Sequence, residues 1–367
     1  MSLPHEHTQQ DCLHRFLFLK MKHCLLVVLI ITIMIITKVS AFRGLGRALK
    51  PMRVASRSIS STLSMTSTLT GPELKIPEKI LGAEKLLAKT DVFIFDCDGV
   101  IWKGDSIIPG VPEVLDKLRA AGKRCFFVTN NSTKSRKGYL KKFTGLGLNV
   151  EAEEIFSSSF AAAAYLEQNP LPPNKKVYII GQEGIGQELD LLNIPYFGGP
   201  DDNDKVIALG PGVKVDHDED VGAVIVGFDS GINYYKIQYA QLCINENKDC
   251  KFIATNLDAV THLTAEQEWA GNGSMVGAIK GCTGKEPILV GKPSPLMIDY
   301  IVDKYKCDRP KICMVGDRLD TDIVFGLDNG LQTVLTLSGV TTKDRLMSDG
   351  NEIRPEYYVD SIADFFK

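Results

Sequence analysis

The chain has 367 residues, with 42 lysines and arginines against 45 aspartates and glutamates, and 44% of its residues are hydrophobic. Residues 1–72 hold nine of the basic residues and two of the acidic ones, so the remainder carries 33 against 43, a net charge of −10. A body that acidic lacks the basic face that nucleic-acid binding requires, and its length of roughly 295 residues suffices for two modest α/β units.

The first element in chain order is a leader. Arg15, Lys20, Lys22 and His23 precede an apolar stretch at residues 24–36 that only Thr32 interrupts. Thirteen residues are too few to span a bilayer and suit a signal-peptide core. Val39-Ser40-Ala41 offers small residues for cleavage, so residues 1–41 are read as a signal peptide. Residues 42–72 contain no acid, and Arg43, Arg47, Lys50, Arg53 and Arg57 alternate with serines and threonines, the composition of a transit peptide. A plain secretion signal or a single-pass anchor is the competing reading. The nine cysteines form no C-x-x-C pair and no zinc spacing, which fits a reducing interior and disfavours secretion. The mature form is expected to carry no membrane span.

Beyond the leader, four apolar runs each end in a polar cluster. Val92-Phe93-Ile94-Phe95 runs into Asp96-Cys97-Asp98-Gly99, and Cys125-Phe126-Phe127-Val128 into Thr129-Asn130-Asn131-Ser132. Ile288-Leu289-Val290-Gly291 runs into Lys292-Pro293, and Ile312-Cys313-Met314-Val315 into Gly316-Asp317-Arg318-Leu319-Asp320-Thr321-Asp322. Short apolar runs suit buried parallel strands, and open α/β sheets hold ligands at the carboxyl ends of such strands. A turn closed by Gly99 would explain the first cluster alone, but four such ends read as one site. Cys97, between two acids, is expected to have a raised thiol pKa.

The chemistry these groups suit is phosphoryl transfer to a carboxylate. Asp96 is the nucleophile, forming an aspartyl-phosphate. Asp98 protonates the leaving alkoxide and then deprotonates water. Thr129 and the backbone around Asn130 and Asn131 donate to the phosphoryl oxygens, and Lys292 supplies fixed positive charge. A phosphate dianion does not approach several carboxylates without a cation, and oxygen ligands suit magnesium, held by the Asp96 and Asp317 side chains and the Asp98 carbonyl. Asp322 orients Lys292 or a metal-bound water.

In order and residue type, the four clusters resemble the four motifs of the haloacid-dehalogenase-like phosphatase superfamily, from about residue 72 to the end. Ala208-Leu209-Gly210-Pro211-Gly212-Val213, Asn233-Tyr234-Tyr235-Lys236 and Ala254-Thr255-Asn256-Leu257-Asp258-Ala259-Val260-Thr261-His262 look closest to plant and algal phosphoglycolate phosphatases. The resemblance implies a magnesium-dependent hydrolase of small phosphate monoesters, with 2-phosphoglycolate as substrate. Broad 4-nitrophenyl phosphate or pyridoxal phosphate hydrolysis is the alternative, and a phosphomutase a further one. Dehalogenases and phosphonatases lack an acid where Asp98 stands. The resemblance also places His262 near the substrate and admits a homodimer through the cap. The leader resembles the two-part presequence of algae with complex plastids, which implies the plastid stroma.

Spacing adds an independent expectation. Asp96 and Thr129 are 33 residues apart, one strand–helix–strand step, whereas Thr129 and Lys292 are 163 apart. A crossover needs some 30 residues, so a second unit is inserted there. The expected fold is therefore α/β, a doubly wound, Rossmann-like parallel-sheet core at residues 73–176 and 284–367 with an α/β cap at 177–283. Within the cap, the glycines at 271, 273 and 277 miss the dinucleotide fingerprint in spacing and are read as packing glycines.

Overall fold

The computed structural model describes residues 76–367 apart from 262, 263, 265 and 266. Residues 1–41 and 42–72, read above as signal and transit peptides, and His262 lie outside the described residues.

Val92–Phe95 is buried along its whole length, and its successive side chains leave opposite faces. Phe93 and Phe95 join one hydrophobic cluster with Cys125, Phe127, Cys313 and Val315 and the apolar stripe of helix Val111–Ala120. Val92 and Ile94 join another with Phe126, Val128, Ile312 and Met314 and with helices Ser158–Gln168 and Leu296–Tyr305. A strand apolar on both faces is stable only where helices cover both. In order across the sheet, the strands are Glu78–Lys79, Tyr357–Val359, Gln332–Thr336, Ile312–Gly316, Val92–Phe95, Arg124–Thr129 and Ile155–Ser157, and every neighbouring pair is parallel.

A second parallel sheet runs Ile288–Leu289, Lys251–Ala254, Val221–Val226, Lys176–Ile180 and Tyr196–Gly198. One face is covered by helices Tyr234–Glu246 and Asn272–Thr283, through Tyr178, Val224, Val226, Ala240, Cys243, Val276 and Ile279. Val177, Ile179, Ala223 and Ile225 face the other way, into the cluster that holds helix Ser158–Gln168. The first two turns of that helix, residues 158–164, are buried all round. Ala161, Ala162, Ala163 and Ala164 give it the small, apolar girth to lie between two sheets.

The sheets do not divide at residue 284. Ile288–Leu289 was expected in the core, yet it is an edge strand of the second sheet, and Val290 continues the pairing by donating to the Ala254 carbonyl at 3.1 Å. A four-residue apolar run has the same periodicity in either sheet, so sequence could not choose between them.

A half-buried ion pair joins core and cap. Arg136, at the start of helix Arg136–Gly145, donates from Nε and Nη2 to Glu188 Oε2 at 3.0 and 2.8 Å, and from its backbone to Oε1 at 2.6 Å. Glu188, on cap helix Glu183–Asp190, is 1% exposed. Among the described residues, no helix is long and apolar enough to cross a membrane.

Candidate active site

The Ile312–Gly316, Val92–Phe95 and Arg124–Thr129 strands are adjacent, so their carboxyl ends deliver Asp317, Asp96 and Thr129 to one edge. Lys292 reaches that edge from the second sheet. It is 2% exposed and gives its three ammonium protons to Asp96 Oδ1 at 2.5 Å, Asp322 Oδ1 at 2.7 Å and the Val128 carbonyl at 2.8 Å. Burial works against its charge, and Asp322 and Asp96 more than offset it, holding the ammonium well above the usual lysine range.

A π-helical turn at Leu319–Ile323 brings Asp322 back beneath the Ile312–Gly316 exit. Its Oδ2 accepts the backbone N–H groups of Asp317 and Arg318 at 3.1 and 3.0 Å. Both Asp322 oxygens are thus occupied by protein donors, which suits an orienting role.

Asp317 differs. Its Oδ2 accepts the Val340 N–H at 2.7 Å, but Oδ1 is buried with no hydrogen-bond partner among the described residues. The carboxylate lies in a cradle of two glycines. Gly99 has φ +84°, and a β-carbon there would stand 2.5 Å from Asp317 Oδ2. A β-carbon at Gly339 would overlap the same carboxylate. Burial, with Asp322 beside it, pushes Asp317 up to about 7, and burial also raises Asp96.

Asp96, Asp317 and Asp322 present carboxylate oxygens within 4.8 Å of one another. Three buried carboxylates face one ammonium, so the site is two positive charges short. A divalent cation taking hard oxygen ligands fits that deficit and the orphaned Asp317 Oδ1.

Asp98 sits at the exposed mouth, where its Oδ1 accepts the indole N–H of Trp102 at 2.8 Å. Trp102 is fully buried between Tyr139 and Phe143 and is held rigidly. Burial, with Asp96 and Asp98 adding to it, raises the Cys97 thiol well above its usual range, as its acidic neighbours led one to expect. Thr129 is buried, and its Oγ1 accepts the Asn131 N–H at 3.2 Å. The Asn131 side-chain oxygen accepts the N–H and hydroxyl of Thr133 at 2.9 and 2.7 Å. The Asn130 side chain is committed to Lys292: Oδ1 accepts the Lys292 N–H at 2.8 Å, and Nδ2 donates to its carbonyl at 3.1 Å. Only the backbone of Asn130 is left for a phosphoryl group. Val260–Thr261 pairs antiparallel with Trp269–Ala270, and Arg318 Nη1 donates to the Val260 carbonyl at 3.4 Å.

Asn256 and Asp258 were missed by the sequence reading as site residues. Asn256 Nδ2 donates to the Asn130 carbonyl at 2.7 Å, and Asp258 accepts from Asn130 Nδ2. Burial holds Asp258 above the usual carboxylate range against the pull of Arg318. The signal was available: Phe252-Ile253-Ala254 running into Thr255-Asn256-Leu257-Asp258 is a fifth apolar run ending in a polar cluster.

Residues 93–195 match the haloacid dehalogenase-like hydrolase family, and residues 289–365 match a related HAD-hydrolase-like family. Phosphoglycolate phosphatase 1A, chloroplastic, from Arabidopsis thaliana is 60% identical over 303 residues, 83% of this chain and 84% of that protein. The chain belongs to the haloacid dehalogenase-like hydrolases. Among solved members, a p-nitrophenyl phosphatase from Archaeoglobus fulgidus superposes with a TM-score of 0.64 at 31% identity, covering 75% of this chain and 98% of its own. A glycerol phosphate phosphatase from Mycobacterium tuberculosis in complex with magnesium also has a TM-score of 0.64, at 26% identity over 77% and 78% of the two chains. This haloacid dehalogenase-like hydrolase is a phosphatase, and its small-molecule substrates are phosphate esters.

Proposed function

We propose that the enzyme hydrolyses 2-phosphoglycolate to glycolate and phosphate through an aspartyl-phosphate. The observation that carries the substrate is the 60% identity, over 303 residues, to a phosphoglycolate phosphatase. The 31% likeness to a p-nitrophenyl phosphatase supports broad hydrolysis of small phosphate esters as the second reading.

In the first step, Asp96 attacks phosphorus, the ester P–O bond breaks and Asp98 hands its proton to the departing alkoxide. Thr129 and the backbone N–H groups at Asn130 and Asn131 hold the phosphoryl oxygens, and Lys292 balances charge on the Asp96 side. In the second step, Asp98 takes a proton from water, which attacks phosphorus and releases phosphate and the free Asp96 carboxylate. The Asp96 and Asp317 carboxylates and the Asp98 carbonyl would hold magnesium. When bound it supplies the positive charge that lets a phosphate dianion approach these acids. The buried, unpartnered Asp317 Oδ1 supports that assignment, as does the magnesium in the mycobacterial relative.

The acid-free stretch at residues 42–72, the apolar run before it and a chloroplastic relative support delivery to the plastid stroma by a signal peptide followed by a transit peptide. A fluorescent fusion of residues 1–75 retained in the endoplasmic reticulum, or secreted, would overturn this. A homodimer through the cap rests on the family resemblance, and light scattering tests it.

The substrate is tested by kcat/KM with magnesium on 2-phosphoglycolate, pyridoxal phosphate, glycerol 3-phosphate and 4-nitrophenyl phosphate in parallel. A preference of about a hundredfold for phosphoglycolate, roughly 2.7 kcal/mol of differential transition-state binding, is expected. Similar values on all four would leave a general phosphatase.

A further inference from the structure

The cap reaches the catalytic edge through Asn130. Its carboxamide makes three contacts: Oδ1 accepts the Lys292 N–H at 2.8 Å, while Nδ2 donates to the Lys292 carbonyl at 3.1 Å and to Asp258 Oδ1 at 3.2 Å. Asp258 Oδ2 lies 3.4 Å from the same nitrogen. The Asn130 carbonyl accepts Asn256 Nδ2 at 2.7 Å, so the Thr255–Asp258 segment of the cap holds this residue at two points. Asn256 in turn accepts the Asp258 N–H at 3.1 Å, which stiffens the segment.

An asparagine amide has two orientations that exchange its oxygen and nitrogen. In the observed one, each N–H meets an acceptor and the oxygen meets a donor. The flipped amide would aim its oxygen at the Lys292 carbonyl and a carboxylate, and its nitrogen at the Lys292 N–H. Asn130 is 7% exposed, so little water is at hand to compensate such a mismatch. Asp258 is the charged acceptor in this arrangement, and bonds to charged groups are the stronger ones.

We propose that Asp258 is a positioning residue: by accepting the Asn130 amide, it locks the two-point grip of Asn130 on the Lys292 backbone. The placement of the cap is thereby coupled to the placement of the catalytic ammonium. This rests on the reading of Lys292 given above.

The test uses the full chain with magnesium and 2-phosphoglycolate and compares Asp258→Ala, Asp258→Asn, Asn130→Ala and the double alanine variant, with Lys292→Met as control. Asp258→Ala is expected to lower kcat by about 10- to 100-fold with KM within about twofold, the scale of losing a residue that orients a first-line group. Asp258→Asn keeps an acceptor oxygen and is expected within about threefold of the parent enzyme. The double variant should be no slower than Asn130→Ala, because the two losses share one contact. Parent-like kcat in Asp258→Ala, fully additive losses in the double variant, or a defect confined to KM would each overturn the inference. An active Lys292→Met enzyme would remove the reading of Lys292 itself. An inactive one beside an unimpaired Asp258→Ala enzyme removes only the inference.

Discussion

Gly339→Ala adds one methyl group, changes no charge and lies outside the four catalytic clusters. The added β-carbon would overlap the Asp317 carboxylate, and Gly99 lines the same Oδ2, where a β-carbon would stand 2.5 Å away. Gly339 does not have positive φ, so alanine is not strained in its own backbone and the whole effect falls on Asp317. The carboxylate must swing away from Val340, which donates to Oδ2 at 2.7 Å. A hydrogen bond to a charged group is worth about 1.5–3 kcal/mol, which corresponds to roughly a 10- to 150-fold rise in half-saturating magnesium. Calorimetric magnesium titration, beside kcat/KM as a function of magnesium, measures this. Gly281→Ala is the control, since no atom lies within 4 Å of its added carbon and it sits in helix Asn272–Thr283. That substitution should leave magnesium affinity unchanged and, if anything, stabilise by about 0.5–1 kcal/mol. Half-saturating magnesium in Gly339→Ala within twofold of the parent would refute the cradle and, with it, Asp317 as a ligand.

Asp98→Asn removes an exposed carboxylate held by one indole N–H, so it should melt with the parent while kcat falls by about 10²–10⁴; undiminished turnover would exclude Asp98 as acid and base. Because Asp317 is raised to about 7, a proton occupies it at lower pH and competes with the metal; half-saturating magnesium should climb by up to about tenfold per pH unit below 7, and a value constant from pH 8 to 5.5 would contradict this. In the cap, Lys236 Nζ donates to Asp229 Oδ2 at 2.7 Å and Asn203 Oδ1 at 2.6 Å, with both ions fully buried. Lys236→Met should cost about 3–5 kcal/mol by stranding Asp229, whereas Lys236→Met with Asp229→Leu should recover most of it; denaturant melts showing equal losses would sink that account.

Short-range chemistry was legible along the chain. Val92–Phe95 had to be a doubly covered strand because all four side chains are apolar, and acids at its exit had to meet a cation or a ligand. The 163-residue interval before Lys292 likewise demanded an inserted unit, since no single crossover consumes that length. Asp96, Thr129, Lys292, Asp317 and Asp322 could therefore be named from their positions behind apolar runs. Tertiary structure alone decided what those groups do to one another. Period-two burial does not say which sheet a strand joins, and Ile288–Leu289 pairs in the second sheet, so Lys292 approaches from the cap side. Nothing local marks Gly339 as the wall beside Asp317 or Asp258 as the anchor of Asn130. Those contacts join residues 22 and 128 positions apart, and only folding sets their distances.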